Sequence, residues 1–468
     1  MRHTRSGEGH RSAVAVALIT VLAAAAWAWG PDRRLTFDDS TSTTCWNNGY
    51  TIAASGDTVI VIWEDSREHT KEIYYKRSTD NGATWEADSQ LTAGMASSVL
   101  PAIAASGSHF YAVWQDYRDP SEEIYYNRST DAGATWFRHA DVRLSNASGF
   151  SRNPAVAAAG ASVQVVWYDR RDDNMEIYHR RSTDFGATWG PENRLTKDSF
   201  DSYYPAVAAS GQNVHVVWWD TRGGPKQIYY KRSTDAGGTW DPDLRLSTDS
   251  VFSVYPSIAV QDSYVHVVWY DRRDLNEEIY YKRSTDNGTT WGPDTRLTTD
   301  GSNSQYPSLA AVGPMLHLIW LDRRDQEWEI YYKLSTDAGA SWGQDTRLTF
   351  ATGDMWYPTV AAFGASVHIA WYDARDGNTE IYYKSNVPAG VEERSVPHIT
   401  RAGVVPNPFR GLARMPGRER ALLWVYDVAG ARVAVQRGDR LGPGLEPGVY
   451  VFRETDGKGP AYRALKLE

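Results

Sequence analysis

Apolar positions along this chain fall into short runs whose character changes in a fixed order. "YPAVAAS" (Tyr204–Ser210) is built from Ala, Val and Ser, whereas "VHVVWWD" (Val214–Asp220) is almost continuously apolar. "QIYYKRS" (Gln227–Ser233) comes next, and after a polar turn a last short segment ends in "RLS" (Arg245–Ser247). Short runs rich in Val, Ile, Tyr and Trp, punctuated by Gly, Pro, Asp and Ser, predict β-strands. The second strand, lacking alternation, reads as buried on both faces. The small residues of the first suit a strand crowded with its equivalents around an axis.

This four-strand unit returns at a pitch of about 51 residues, the signature of a repeat architecture. "STDNGATW" (Ser78–Trp85) recurs as "STDAGATW" (Ser129–Trp136), "STDFGATW" (Ser182–Trp189), "STDAGGTW" (Ser233–Trp240), "STDNGTTW" (Ser284–Trp291) and "STDAGASW" (Ser335–Trp342). A second element occurs seven times: "VIWEDSRE", "AVWQDYRD", "VVWYDRRD", "VVWWDTRG", "VVWYDRRD", "LIWLDRRD" and "IAWYDARD". The seventh copy stops after "EIYYKSN" (Glu380–Asn386) without a fourth strand, while "RLTF" (Arg34–Phe37) precedes the first copy and matches the fourth strand "RLTF" at Arg347–Phe350. The N-terminal segment is therefore expected to complete the last blade. The fold expected is all-β: a seven-bladed β-propeller over residues 33–386, closed by an N-terminal strand, which leaves only short protected edges. After a linker at 387–401, alternating strands and Gly turns in 402–468 predict a small C-terminal β-sandwich.

The first 28 residues stand apart. Arg2, Arg5 and Arg11 precede the apolar run "SAVAVALITVLAAAAWAWG", which carries Ala26-Trp27-Ala28, the pattern of a secretory signal peptide cleaved near Ala28. An uncleaved anchor is the alternative, and no later stretch is apolar for long enough to span a bilayer. The expected location is secreted or at the cell surface. Cys45 is the single cysteine, so no internal disulfide can form and stability must come from packing. Aromatic residues, 13% of the chain with 20 Trp and 28 Tyr, supply the material. A net charge of −9 argues against a nucleic-acid partner.

Within "STDNGATW" the chemistry is that of a turn. Asp80 can accept backbone N–H bonds across the loop, Gly82 supplies a positive φ, the Ser78 and Thr84 hydroxyls tie down the ends, and Trp85 packs under the turn against the blade, so each outer hairpin is expected to be self-sufficient. Asp131, Asp184, Asp235, Asp286 and Asp337 repeat the role of Asp80, and all six read as structural. The octapeptide is the Asp box, and six copies in one propeller resemble the sialidase (BNR/Asp-box repeat) superfamily over about Arg34–Asn386. The resemblance is specific for fold and much less so for activity, because Asp boxes also occur in other glycosidases, sorting receptors and assembly factors. It implies boxes on the face opposite the active site. The C-terminal segment is similar to Ig-like sorting domains of FlgD or type IX secretion type, through "PNPF" (Pro406–Phe409), "VYDVAGARV" (Val425–Val433) and "GVYVFR" (Gly448–Arg453). That similarity implies export through a secretion machinery and says nothing of substrate.

If the boxes mark one face, the Trp-x-Asp-x-Arg loops lie on the other. Their arginines are Arg67, Arg118, Arg171, Arg222, Arg273, Arg324 and Arg375, and their aspartates Asp65, Asp116, Asp169, Asp220, Asp271, Asp322 and Asp373. A glutamate opens the third strand as Glu72, Glu123, Glu176, Glu278, Glu329 and Glu380, with Gln227 in the fourth copy. A tyrosine opens the first strand in four copies, as Tyr204, Tyr255, Tyr306 and Tyr357. The resemblance implies arginines that hold a substrate carboxylate, an aspartic acid that protonates the leaving group and a tyrosine nucleophile activated by glutamate, a departure from the usual two-carboxylate glycosidase. Against this, each arginine lies two residues from an aspartate and across a hairpin from a glutamate, an arrangement that neutralises it locally. Seven equivalent motifs also give equivalence, whereas catalysis needs different residues converging on one point. The Arg-Ile-Pro type motif of sialidases is absent, with "RLTF" in its place.

Three functions follow. One is an exo-α-sialidase-type hydrolase. The second is a non-catalytic binder of extracellular glycans or glycoproteins, drawing avidity from several equivalent pockets. The third is a surface scaffold or adhesin for protein partners. The fourth copy, "TRGGPKQ", loses its trailing Asp and its Glu, which makes Arg222 and Lys226 the expected least-neutralised cations. His215, His266, His317 and His368 share one second-strand position, and equivalent positions in successive blades are too far apart to place one ion about 2.1 Å from each nitrogen. They are expected to be strand residues, with no metal and no cofactor.

Overall fold

The computed structural model describes residues 28–45, 50–137, 141–146, 148–248 and 252–387, together with strands 422–426, 432–437, 448–454 and 462–466. The expected signal peptide up to Trp27, the linker 388–401 and the Pro406–Phe409 motif lie outside the described residues. Trp29–Asn386 forms one compact unit, an all-β seven-bladed propeller with no helix among the described residues.

In the fourth blade the strands are Ser202–Ser210, Asn213–Asp220, Gln227–Ser233 and Leu244–Arg245, hydrogen-bonded in chain order. The second strand carries the core. Thr58–Asp65 is buried along its whole length, and Trp63, Trp114, Trp167, Trp218, Trp269, Trp320 and Trp371 are each fully buried between neighbouring blades. Each indole stacks on a third-strand tyrosine of its own blade, as Trp218 does on Tyr229 at 6.1 Å. The first strands line the axis, each lying against the next, and Met355–Phe363 lies against Ile52–Ser55, so the ring is closed. Their small residues permit that approach.

Closure follows the expected pairing. Arg33 and Arg34 lie opposite Tyr383 and Tyr382, and Leu35 N–H donates to the Ile381 carbonyl at 2.7 Å. Arg34 meets Glu380 at 2.5 Å, and Asp32 accepts from Arg375 at 2.8 Å and Lys384 at 2.9 Å. Asp243, Asp294 and Asp345 make the same two contacts within single continuous blades. The early segment thus reproduces the side-chain network of an ordinary fourth strand as well as its ladder.

The Asp boxes reach between blades, which differs from the self-sufficient hairpin expected. The Ser78 hydroxyl donates to Asp80 at 2.8 Å and accepts from Gly82 N–H at 2.8 Å, and Asp80 accepts from Thr84 N–H at 2.8 Å. Gly82 then presses on the neighbouring blade. A β-carbon there would lie 1.8 Å from the Tyr383 hydroxyl, so the glycine is required by close approach as well as by its φ of 83°. Trp85 meets the edge of the same Tyr383 ring at 4.9 Å, as Trp189 meets Tyr126, Trp291 meets Tyr230 and Trp342 meets Tyr281. An eight-residue turn therefore packs on the preceding blade's third strand.

The histidines support that strand. His215, His266, His317 and His368 are buried and hydrogen-bonded to Tyr230, Tyr281, Tyr332 and Tyr383 of their own blades at 2.7, 2.8, 2.9 and 2.7 Å. Burial pushes the imidazoles down, to about 4 for His215, His317 and His368 and about 3 for His266.

The second unit includes Val387–Glu468, in which Arg432–Arg437, Leu422–Tyr426, Gly448–Glu454 and Tyr462–Lys466 form one antiparallel sheet in that spatial order. Its described strands make a single sheet, and the rest of the expected sandwich lies outside the described residues.

Two outcomes are expected. Asp32→Ala leaves Arg375 and Lys384 without their shared carboxylate and is expected to cost about 3 kcal/mol in urea unfolding; an unchanged midpoint would show that the closing segment carries no such load. The four histidines stay neutral in the folded chain, while the unfolded chain takes up protons as pH falls below about 6.5. Stability is therefore present above that pH and lost progressively down to about pH 4. Replacing all four by glutamine is expected to flatten the fall in urea midpoint over that window, and an equal fall in both proteins would contradict the assignment.

Candidate functional site

The box turns and the turns between first and second strands share one face, since Asn81 N–H donates to the Asp57 carbonyl at 2.8 Å. Connections between second and third strands lie on the opposite face, and the candidate residues sit there.

All seven Trp-x-Asp-x-Arg elements fold alike. Asp220 is fully buried and accepts from the Ser202 hydroxyl at 2.8 Å, the Trp218 indole at 3.0 Å, the Arg222 N–H at 2.7 Å and the Arg222 guanidinium at 2.7 Å. Asp65, Asp116, Asp169, Asp271 and Asp322 are held by their own Ser, Trp and Arg in the same manner, while in the seventh blade Met355 replaces the serine and Asp373 keeps only its Trp371 and Arg375 donors. Each arginine then takes a further carboxylate: Arg67 Asp88, Arg118 Asp141, Arg171 Glu192, Arg222 Asp243, Arg273 Asp294, Arg324 Asp345 and Arg375 Asp32. Arg67, Arg222 and Arg324 meet a third, Asp38, Asp198 and Asp300. Every guanidinium also lies over a third-strand tyrosine, at 4.1 to 4.5 Å. These arginines are spent on the blades.

The third-strand glutamates pair elsewhere than expected. Glu123, Glu176, Glu278, Glu329 and Glu380 bind the fourth-strand Arg143, Arg194, Arg296, Arg347 and Arg34, because strand pairing places the two ends together. Gln227 makes the same contact with Arg245, so the fourth blade loses a charge and keeps the bond. Arg222, expected to be among the least neutralised, meets three carboxylates. Lys226 lies over Trp219 at 4.3 Å, and burial lowers its pKa.

Toward the axis, six first strands share one device. Leu100, Asn153, Tyr204, Tyr255, Tyr306 and Tyr357 each precede a proline at a φ between 43° and 54°, and the ladder slips there. Such a bulge re-aims one side chain, and left-handed backbone at a bulky residue is costly enough to mark a special site. Four tyrosines form an arc, with ring centroids 5.1 Å apart for Tyr204–Tyr255, 5.0 Å for Tyr255–Tyr306 and 4.7 Å for Tyr306–Tyr357. Burial pushes all four phenols up, Tyr255 to about 12, and they bond one another, Tyr204 with Tyr255 and Tyr306 with Tyr357. They stay protonated, and the charge of nearby Glu277 raises Tyr306 further while its hydroxyl bonds other tyrosines.

In the first blade the stretch between the paired residues Thr43 and Ile52 is longer in sequence than in the other blades. Its Tyr50 crosses the axis: the hydroxyl bonds the Ser257 hydroxyl at 2.6 Å and donates to the Ile258 carbonyl at 3.0 Å, while its carbonyl accepts from Ile103 at 2.8 Å.

The seven-fold equivalence breaks between the first and third blades. The residue after the second-strand tryptophan is Tyr168, Trp219, Tyr270, Leu321 or Tyr372 in five blades, but Glu64 and Gln115 in the first two. These open a cavity of about 520 Å³ lined also by Lys71, Ser97, Val99, Leu100, Tyr117, Arg152, Asn153 and Tyr168. Glu64 accepts from Lys71 at 2.7 Å, Leu100 N–H at 3.1 Å and the Thr43 hydroxyl at 3.1 Å. Arg152 meets Glu122 at 2.6 Å and lies 3.9 Å over Phe150. Gln115 donates to the Tyr117 hydroxyl at 3.0 Å, yet its buried Oε1, and the buried Nε of Arg152, have no hydrogen-bond partner. Buried polar atoms are ordinarily satisfied by protein or by water, and these two line the same cavity. Sequence reasoning followed the recurring motif positions and missed these residues, although the run Glu, Gln, Tyr, Trp, Tyr, Leu, Tyr at one repeat position was legible.

Fold and repeat define a seven-bladed Asp-box propeller. The chain belongs to the BNR repeat-like domain family, whose model matches residues 6–267 and 105–318. Among solved structures it is similar to the polysaccharide lyase Uly1, at 9% identity and a TM-score of 0.54 over 77% of this chain and 99% of that one. It is also similar to the phage phi92 endosialidase (10% identity, TM-score 0.49, 94% and 87% covered) and to the NanB sialidase of Streptococcus pneumoniae (12%, 0.41, 75% and 70%). Of these three only Uly1 passes 0.5, and at 9% identity that is a likeness of fold. A search of curated proteins finds no match.

Asp169→Ala strands Arg171, the Trp167 indole and the Ser151 hydroxyl, and is expected to destabilise by about 3–5 kcal/mol in urea unfolding. A loss of ligand binding at unchanged stability would instead return this motif to the list of binding residues.

Proposed function

We propose that this protein binds extracellular glycans through the cavity between its first three blades, without sialidase-type turnover. The observation that carries the reading is the pair of unsatisfied buried atoms, Gln115 Oε1 and Arg152 Nε, in a cavity walled by Tyr117 and Tyr168. Sugars present hydroxyls that both donate and accept, beside apolar ring faces that suit aromatic walls. A volume of about 520 Å³ lies in the range of small-molecule sites.

Binding is favoured over hydrolysis because the arginines a sialidase would turn on a substrate carboxylate are held by two or three carboxylates each. The hydroxyls of the arc bond one another, and Glu277, the carboxylate that acts on Tyr306, is itself bonded to Arg272 and Gln305. Export belongs to the same reading. It rests on the charged and apolar segment before Ala28 and on the resemblance of "VYDVAGARV" and "GVYVFR" to sorting domains, which would engage a secretion machinery.

The full chain is expected to bind immobilised glycans saturably, to be displaced by free sugar and to lose that binding on Arg152→Ala. A fluorogenic sialoside is expected to stay intact across the pH range. Release of sialic acid would overturn the non-catalytic reading, and binding unaffected by Arg152→Ala would move the site elsewhere.

A further inference from the structure

The charges of the cavity cancel in pairs, which bears on the sugar it accepts. Lys71 is spent on Glu64 at 2.7 Å, and Arg152 on Glu122 at 2.6 Å. Glu64 is buried, at 6% exposed. A carboxylated sugar would find both cations taken and both carboxylates close by. Drawing Lys71 away would leave the buried Glu64 uncompensated, which is costly, and drawing Arg152 away would leave the half-buried Glu122 without its partner. A neutral sugar meets no such conflict. Its hydroxyl can donate to Gln115 Oε1 and accept from Arg152 Nε, the two groups left unmet. Either orientation of the Gln115 amide leaves one of its atoms without a partner.

A row of rings continues from the cavity wall. Tyr168 forms part of that wall and lies 5.8 Å from Tyr204, the first ring of the arc that continues through Tyr255 and Tyr306. All four arc rings, Tyr357 included, are half-buried and so keep exposed surface. Resting on the glycan reading above, we propose that the cavity takes one unit of a neutral, uncharged sugar chain and that the tyrosine arc carries the units that follow.

The test uses the full chain and two sets of probes, titrated calorimetrically. One set holds neutral gluco-, xylo-, manno- and galacto-oligosaccharides of increasing length, the other oligosialic and oligogalacturonic acids. At least one neutral series is expected to bind, more tightly as it lengthens, and the acids to bind far more weakly. Gln115→Leu is expected to weaken every neutral length about tenfold, the loss of one hydrogen bond. Tyr255→Ala is expected to weaken long chains and leave the shortest unchanged. Tyr117→Phe, at a position 44% exposed, removes the hydroxyl that holds Gln115 and serves where Gln115→Leu lowers the urea midpoint. Preference for the acids, sensitive to Gln115→Leu, would overturn the neutral assignment and leave the glycan reading standing. No binding to either set would overturn both. Neutral binding indifferent to Gln115, Tyr117 and Tyr255 variants would overturn the placement.

Discussion

A buried aspartate at the end of each second strand is the contact on which the other features of a blade depend. In the fourth blade one carboxylate gathers the first strand through Ser202, the second through Trp218 and the following loop through Arg222. The same guanidinium reaches Asp243 just before the fourth strand, and Lys231 shares Asp243 while donating to the Leu195 carbonyl of the preceding blade at 2.8 Å. A charge taken out of water is tolerable only when paired and hydrogen-bonded, so each member is obliged to hold its place. The network therefore fixes loop geometry and links one blade to the next. Without disulfides, repetition of this cluster and of the Asp-box contact replaces covalent bracing.

That constraint decides where ligand chemistry can sit. An arginine held by Asp, by a second carboxylate and over a tyrosine ring has no donor to give up without breaking the blade. Positions identical in all seven units are occupied by the demands of folding. A site must then arise where copies differ and where the difference faces the axis. Replacing aromatic rings by Glu64 and Gln115 in adjacent blades does this: it subtracts volume, opens the cavity and introduces polar atoms together. Blade four, by contrast, changes Glu to Gln and keeps its bond to Arg245, so its departure leaves the geometry intact.

The fold was legible because its signals are repeated and physical. An apolar second strand, small residues at the axis and a missing fourth strand matched by "RLTF" each allow one architecture, and Leu35 does bond to Ile381 beside Tyr382. Strand pairing, in contrast, decides partners that spacing in sequence does not reveal. Glu329 was expected beside Arg324 and binds Arg347, because the fourth strand ends against the start of the third. Trp85 and Gly82 were expected to serve their own hairpin and instead meet Tyr383, about 300 residues away in sequence, a contact that only ring closure creates. The tyrosines at the bulge were read as candidates, but their mutual packing depends on a backbone slip at Tyr-Pro that residue type alone does not announce.

The same slip connects architecture to recognition. A regular first strand would turn Tyr204, Tyr255, Tyr306 and Tyr357 into the sheet; the left-handed residue before proline turns them to the axis, at a backbone cost that buried interblade packing must offset. Where the bulge carries Leu100 or Asn153, the rings give out and the cavity begins. In the first blade, Tyr50 spans the axis to Ser257 and Ile258 and ties opposite sides of the ring together. An aromatic arc on one side, a polar cavity on the other and a cross-member between them make an asymmetric surface from a symmetric scaffold. These departures lie at residues that face the axis, so a binding surface can change there while the seven aspartate–arginine pairs, and with them the ring, remain as they are.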